Sequence, residues 1–163
     1  PIIAAVEGPA LGGGFEIALA CHLVVADETA EFALSEVKVG LIAGAGGLIR
    51  LPRAVPPRIA NELILTGRPV GADEARRLGL VNRVAPAGKV MTAARELAAE
   101  ILAGSPTSVR LSLTLMEETE GIADTNAAVT HPTQVIDELM VSADAHEGMT
   151  AFVMKRPPQW KNC

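Results

Sequence analysis

A chain of 163 residues, 49% hydrophobic and 20% charged with a net charge of −5, is long enough to bury a sizeable core and suits one domain with a helical appendage. With three Phe, one Trp, no Tyr and no basic run, it lacks the positive groove and stacking rings of a nucleic-acid platform. No apolar stretch approaches the roughly 20 residues that cross a bilayer, and the two cysteines, Cys21 and Cys163, lie too far apart to suggest a disulfide framework or a metal site. A reducing, cytoplasmic setting is the expectation.

The chain opens at Pro1, without Met, and moves straight into a strand-like run, Ile2–Val6. So abrupt a start leads us to expect a piece of a longer protein. Gly8-Pro9 reads as a turn, Gly14–His22 as a buried helix, Leu23–Ala26 as a second strand and Glu31–Leu34 as a third. Glycines at 40, 44, 46 and 47 mark a tight loop. A helix is expected to start near Gly46 and stop before Pro52, and another to span Ile59–Thr66 with Gly67 closing it. Asp73 and Glu74 suit a helix N-terminus, Gly79 a left-handed cap, and Leu80–Val84 a strand. Val90, Ala94, Leu97 and Ile101 recur at helical spacing up to Gly104. Alternating short strands and helices indicate an α/β core over 1–104.

From Ser105-Pro106, an N-cap followed by proline at N1, only helices are expected. They run from Pro106 to about Glu120, from Ile122 to about Val141 with a kink or break at Pro132, and from Asp144 to about Lys155. Pro157-Pro158 stops the last one. Residues 105–163 therefore read as a helical layer.

The chemistry concentrates in "GPALGGGFEIALACHLVV". Three glycines before a helix let backbone approach a ligand closely and leave unpaired N–H groups at the helix start, where an anion, even a transient one, is stabilised. Nucleotide readings fail on the residues present. Phe15 and Glu16 stand where a P-loop needs Lys and Ser/Thr, and Ile49 stands where a dinucleotide fingerprint beginning at Gly44 and Gly46 needs glycine. Glu16, beside Phe15, Ile17, Ala18 and Leu19, has two readings. It complements the macrodipole of its own helix, or it is a buried carboxyl that needs a partner and suits proton transfer. Glu36, in "EFALSEVKVGL" beside Lys38, reads alone as a solvated surface residue. Its place twenty residues after Glu16 and just ahead of the glycine-rich loop allows the two acids to share a cleft. His22 reads as a core or helix-end residue and not a ligand, and His131 and His146 as surface residues.

These segments resemble the crotonase (enoyl-CoA hydratase/isomerase) superfamily. "PIIAAVEGPALGGGFEIALAC", "FALSEVKVGLIAGAGGLIRLPR", "LTGRPVGADEARRLGLVNRV" and "SADAHEGMTAFVMKRPPQWK" are similar to its four ordered motifs, from Pro1 to about Lys161. The resemblance implies an α/β fold, the second half of a spiral of β-β-α units, followed by a C-terminal helical layer that makes a homotrimer or a dimer of trimers. It implies Gly13 as one oxyanion N–H, and Glu16 and Glu36 as the two acids that hold a water and move its proton. Gly12, Ser35, Gly44, Phe152 and Lys155 match positions near the acyl-CoA substrate, although Phe152 also suits ordinary core packing.

Coenzyme A would belong to the substrate. No separate cofactor, metal, nucleic acid or membrane is implied. The other oxyanion donor and most coenzyme A contacts would lie upstream of this segment. Ser35 and Ala43 replace prolines common in the family, and Ala33 replaces a glycine. Ala33, the stretch from Leu48 to Ala75 and the Pro-Gln-Trp-Lys ending are similar to the carnitinyl-CoA dehydratase branch. The implied reaction is hydration of a 2-enoyl-CoA or dehydration of a 3-hydroxyacyl-CoA, in fatty-acid or carnitine-type metabolism. Enoyl-CoA isomerisation, or a catalytically degenerate acyl-CoA binder, are the alternatives.

Overall fold

The computed structural model describes all residues from Pro1 to Cys163. The chain divides into two compact units, Ile2–Ala98 and Ala99–Cys163, with Pro1 counted in the second. It is α/β, as its alternating short elements led us to expect.

The first unit holds two small sheets. β1 (Ile3–Val6), β3 (Leu23–Asp27) and β6 (Arg83–Ala85) form a parallel sheet with β3 in the middle. Ile3 pairs with Leu23, and Val25 with Arg83. The centre strand is an unbroken apolar run, Val24-Val25-Ala26, buried throughout, as befits a parallel strand covered on both faces. β2 (Pro9–Leu11), β4 (Glu31–Ala33) and β5 (Val70–Gly71) form the other sheet, in which β2 and β4 run parallel and β5 antiparallel.

Helices α1 (Gly13–Ala20), α2 (Gly47–Ala54), α3 (Pro57–Thr66) and α4 (Ala72–Arg77) belong to the same unit, and α5 (Val90–Leu102) starts there. Phe15 of α1 meets Phe32 of β4 with ring centroids 5.3 Å apart. Around that pair lie Leu34, Leu51, Leu63 and Val70.

Four details correct the sequence reading. The chain bends at Gly8, φ 73°, as expected, but Pro9 already opens a strand, Pro9–Leu11, that the sequence reading lacked; proline is tolerated at its first position, where no ladder donor is missed. Helix α2 runs through Pro52 to Ala54. Leu51 is fully buried and Val55 N–H still reaches the Leu51 carbonyl at 3.1 Å, so packing offsets the hydrogen bond that proline lacks. α3 starts at Pro57, earlier than expected, with proline in the first turn. The last strand is Arg83–Ala85, not Leu80–Val84. Leu80 and Val81 are buried in the core as a loop, and Asn82 accepts from Val24 N–H at 2.8 Å.

The second unit is helical: α6 (Pro106–Thr119), α7 (Thr125–Val129), α8 (Val135–Met140) and α9 (Ala143–Met154). Ser105 caps α6 through a bond from Ser108 N–H at 3.1 Å, as its position before proline predicts. The chain is broken around Pro132 into α7 and α8. Residues 156–163 fold back on α9. Asp144 accepts from the Lys161 and Asn162 N–H groups at 2.7 and 3.1 Å, and Trp160 Nε1 donates to the Ala103 carbonyl at 3.0 Å.

Candidate active site

Glu16 lies in the first turn of α1 and is only 5% exposed. A buried carboxylate needs a donor, and the donor is on another helix. Gly47 N–H, at the first residue of α2, reaches Glu16 Oε1 at 2.9 Å. The acid therefore complements the positive end of α2. Neither sequence reading anticipated that partner. α1 itself is buried on one side only, since Phe15 and Ala18 point inward while Ile17 is exposed.

Glu36 opens a short 3-10 turn, Glu36–Val39, that follows β4. Its Oε2 is buried and has no hydrogen-bond partner in the protein. A buried oxygen left without a donor costs about 1–3 kcal/mol. Oε1 lies over Gly12, 3.0 Å from where a Cβ would be. Gly12 has φ 53° and ψ −123°, backbone that essentially only glycine adopts. Its N–H donates to the Ala33 carbonyl at 2.8 Å, and its carbonyl accepts from Glu16 N–H at 3.0 Å. One glycine thus ties the helix that carries Glu16 to the strand that leads to Glu36.

The third contact closes the arrangement. A Cβ on Gly47 would stand 2.9 Å from both Leu34 Cδ1 and Ala43 Cβ. The α2 backbone that holds Glu16 is therefore packed directly against the segment that delivers Glu36. Residues 12–16, 34–36 and 43–47 touch one another, and both carboxylates lie among them.

Gly13 is exposed as the first residue of α1, with nothing within 4 Å of its Cβ direction. An N–H at that helix position has no acceptor within its own helix. Ser35 is half-buried. Its carbonyl accepts from Lys38 N–H at 3.0 Å, and its side chain makes no capping bond. Its φ of −91° falls outside the roughly −65 ± 15° that a proline ring fixes, so the loop is shaped for the residue present. Gly44 is exposed in the loop before α2.

Phe152 and Lys155 belong to the helical unit. Phe152 is 86% exposed, which rules out core packing within this chain. Lys155 ends α9 in the left-handed conformation, φ 51°. His22 accepts from Ile2 N–H through Nδ1 at 3.0 Å, which agrees with the helix-end reading. Gly47 is the residue that sequence reasoning missed. Its only signal was its place at the start of a helix after a glycine-rich loop.

The α/β scaffold thus gathers two carboxylates, a glycine-framed helix start and a buried oxygen without a protein donor in one small region. Comparison with known proteins is specific. The enoyl-CoA hydratase/isomerase family model matches residues 1–163, and the chain belongs to that family.

Carnitinyl-CoA dehydratase of Escherichia coli K12 is 42% identical over 164 residues, covering 99% of this chain and 63% of that protein. Among solved structures, enoyl-CoA hydratase from Mycobacterium tuberculosis H37Rv superimposes with a TM-score of 0.94 at 42% identity, covering 100% of this chain and 64% of that one. Enoyl-CoA hydratase EchA1 from Mycobacterium marinum gives 0.95 at 43% identity, covering 100% and 66%. The fold is therefore crotonase-like. The chain spans about 63% of the length of the curated relatives it matches.

Proposed function

We propose that the complete protein containing this chain adds water reversibly across the double bond of a 2-enoyl-CoA, or removes it from a 3-hydroxyacyl-CoA. The observation that carries this reading is the buried, unpartnered Oε2 of Glu36, in the same small region as a second carboxylate held by Gly47 N–H. The two acids accept hydrogen bonds from one water molecule. As its oxygen bonds to C3, one carboxylate takes a water proton and a carboxyl group delivers a proton to C2. Electrons from the C2=C3 bond move onto the thioester oxygen and return to form the C2–H bond. H and OH are thereby added and nothing is oxidised.

The intermediate charge on that oxygen is met by Gly13 N–H at the start of α1. A single such backbone donor contributes about 2.7–4 kcal/mol to the transition state, and proton transfer by the acids adds about 10²–10⁴ in rate. Gly12 frames Glu36 while Gly13 faces the thioester. Ser35 and Gly44 serve the acyl-CoA; Phe152 and Lys155, on the separate helical unit, are assigned to coenzyme A by the family resemblance alone. Coenzyme A enters and leaves with the substrate, so no separate cofactor takes part.

Similarity to carnitinyl-CoA dehydratases supports carnitine-type acyl groups as substrates to test first. No helix is long and apolar enough to cross a membrane, and a cytoplasmic setting is part of the same proposal. Ile136, Met140, Val141, Met149, Phe152 and Val153 leave apolar surface on the helical unit. That surface supports assembly into trimers or dimers of trimers, which sedimentation of the complete protein tests.

The decisive assay follows the ultraviolet band of the conjugated enoyl thioester. Glu16→Gln and Glu36→Gln are each expected to lower kcat by at least about 10², with the fold intact by circular dichroism. A Glu36→Gln enzyme of undiminished rate would refute the assignment. Product with a moved double bond and no added water identifies an isomerase instead, and binding without turnover identifies a degenerate acyl-CoA binder.

A further inference from the structure

The segment "LTGRPVGADEA" carries no group that the proposed chemistry uses, yet one of its residues touches the acid site. Gly67 closes α3 in the left-handed conformation, φ 58° and ψ 26°, with its N–H on the Leu63 carbonyl at 2.9 Å. A left-handed helix cap by itself explains a glycine there. A second demand is visible. A Cβ at Gly67 would lie 3.2 Å from the Leu34 carbonyl oxygen, 3.2 Å from Ser35 Cα and 3.3 Å from Lys38 Cε. Two of those three atoms are backbone, which cannot rotate aside, and they immediately precede Glu36.

We propose that Gly67 is a positioning residue for Glu36: its bare Cα is the floor on which residues 34–38 rest, and it sets where the carboxylate stands. Ser35 increases the dependence, because its side chain makes no capping bond and its ring-free backbone does not stiffen the approach. The loop's internal bonds, Lys38 N–H to the Ser35 carbonyl at 3.0 Å and Leu41 N–H to the Glu36 carbonyl at 3.0 Å, fix the shape of the turn. They do not fix its height above α3. That height is set by the contact with Gly67. The catalytic meaning of this contact rests on the hydratase reading given above; the contact itself does not.

Gly79 supplies the control. It too has positive φ, 83°, but nothing lies within 4 Å of its Cβ direction. Gly67→Ala and Gly79→Ala therefore share the backbone strain and differ in the push on the loop. In the complete protein we expect both to lower Tm. Only Gly67→Ala should reduce kcat, by on the order of tenfold for a displacement of a few tenths of an ångström, and the loss should persist at saturating substrate, so that a change in KM through Ser35 does not account for it. Only Gly67→Ala should speed hydrogen exchange at the Lys38 and Leu41 amides.

If Gly67→Ala does not fold, Gly67→Asn carries the same Cβ with less left-handed strain and is read identically. Equal behaviour of the Gly67 and Gly79 variants in both readouts overturns the proposal. Should the unmodified protein hydrate no enoyl thioester, the hydratase reading fails. The exchange comparison then decides alone: acceleration at 38 and 41 confined to the Gly67 variant upholds the positioning contact, and no difference between the two variants refutes it.

Discussion

Glu16 shows what a sequence reveals about a single side chain and what it hides. Its apolar neighbours already say that the carboxylate needs a partner, because an unpaired buried charge is among the most costly features a fold can carry. They do not say who the partner is. Gly47 lies 31 residues away, and its N–H is available only because α2 begins there. For Glu36 the difficulty is reversed: its neighbour Lys38 suggests solvent, while its buried Oε2 shows enclosure. Gly47 carries a prediction at this scale. Alanine there would drive a Cβ into Leu34 and Ala43 at 2.9 Å, and overpacking of this kind costs about 1–3 kcal/mol. Because the same residue holds Glu16, Gly47→Ala should lower both the denaturation midpoint and the hydration rate. A variant with normal rate and midpoint would show that Glu16 does not depend on this amide.

Among the elements, strongly patterned ones were legible and short ones were not. The apolar run of β3 and the Ser105-Pro106 start of α6 are local signals, and the structure agrees with both. β2 has three residues and exists only through its pairing with β4, so no window of sequence could reveal it. α2 passes Pro52 because Leu51 is buried beneath it, a tertiary cause that outweighs a local breaker. The first half of α9 and the returning tail are tied by carboxylates, and pH tests that tie.

Asp144 is 1% exposed. Burial pushes its carboxyl up, but bonds from Lys161 N–H, the Thr107 hydroxyl, Asn162 N–H and the Ser105 hydroxyl outweigh burial and hold it at about 2, below its ordinary 3.8. Glu147 is held at about 2 as well, against an ordinary 4.5, by the two-pronged Arg156 contact at 2.6 and 2.9 Å and by Gln159 N–H. A depressed carboxylate stabilises the fold above its unfolded value, and that contribution is lost as pH falls toward the folded value. Thermal stability should therefore decline as pH falls from about 4.5 to 2. Asp144→Asn, which sets an amide NH₂ against backbone and hydroxyl donors, should lower Tm at pH 7 and flatten the decline. A Tm profile identical to that of the unmodified protein would mean that the tail is not held by this carboxylate.

At the scale of the molecule, four motifs in order identified the family, while the geometry of the site came only from contacts between segments 12–16, 34–36 and 43–47. Motifs constrain residue types at chosen spacings. The distances among them depend on packing that runs through Gly12, Leu34 and Gly47. On the proposed reading, Glu36 Oε2 accepts from a water molecule that Glu16 shares. The most direct test is a crystal structure of the complete protein with an unreactive acyl-CoA analogue bound. The expected result is one ordered water within about 2.6–3.2 Å of both carboxylates, with the thioester oxygen facing Gly13 N–H. A protein donor occupying Glu36 Oε2, or carboxylates too far apart to hold one water between them, would contradict it.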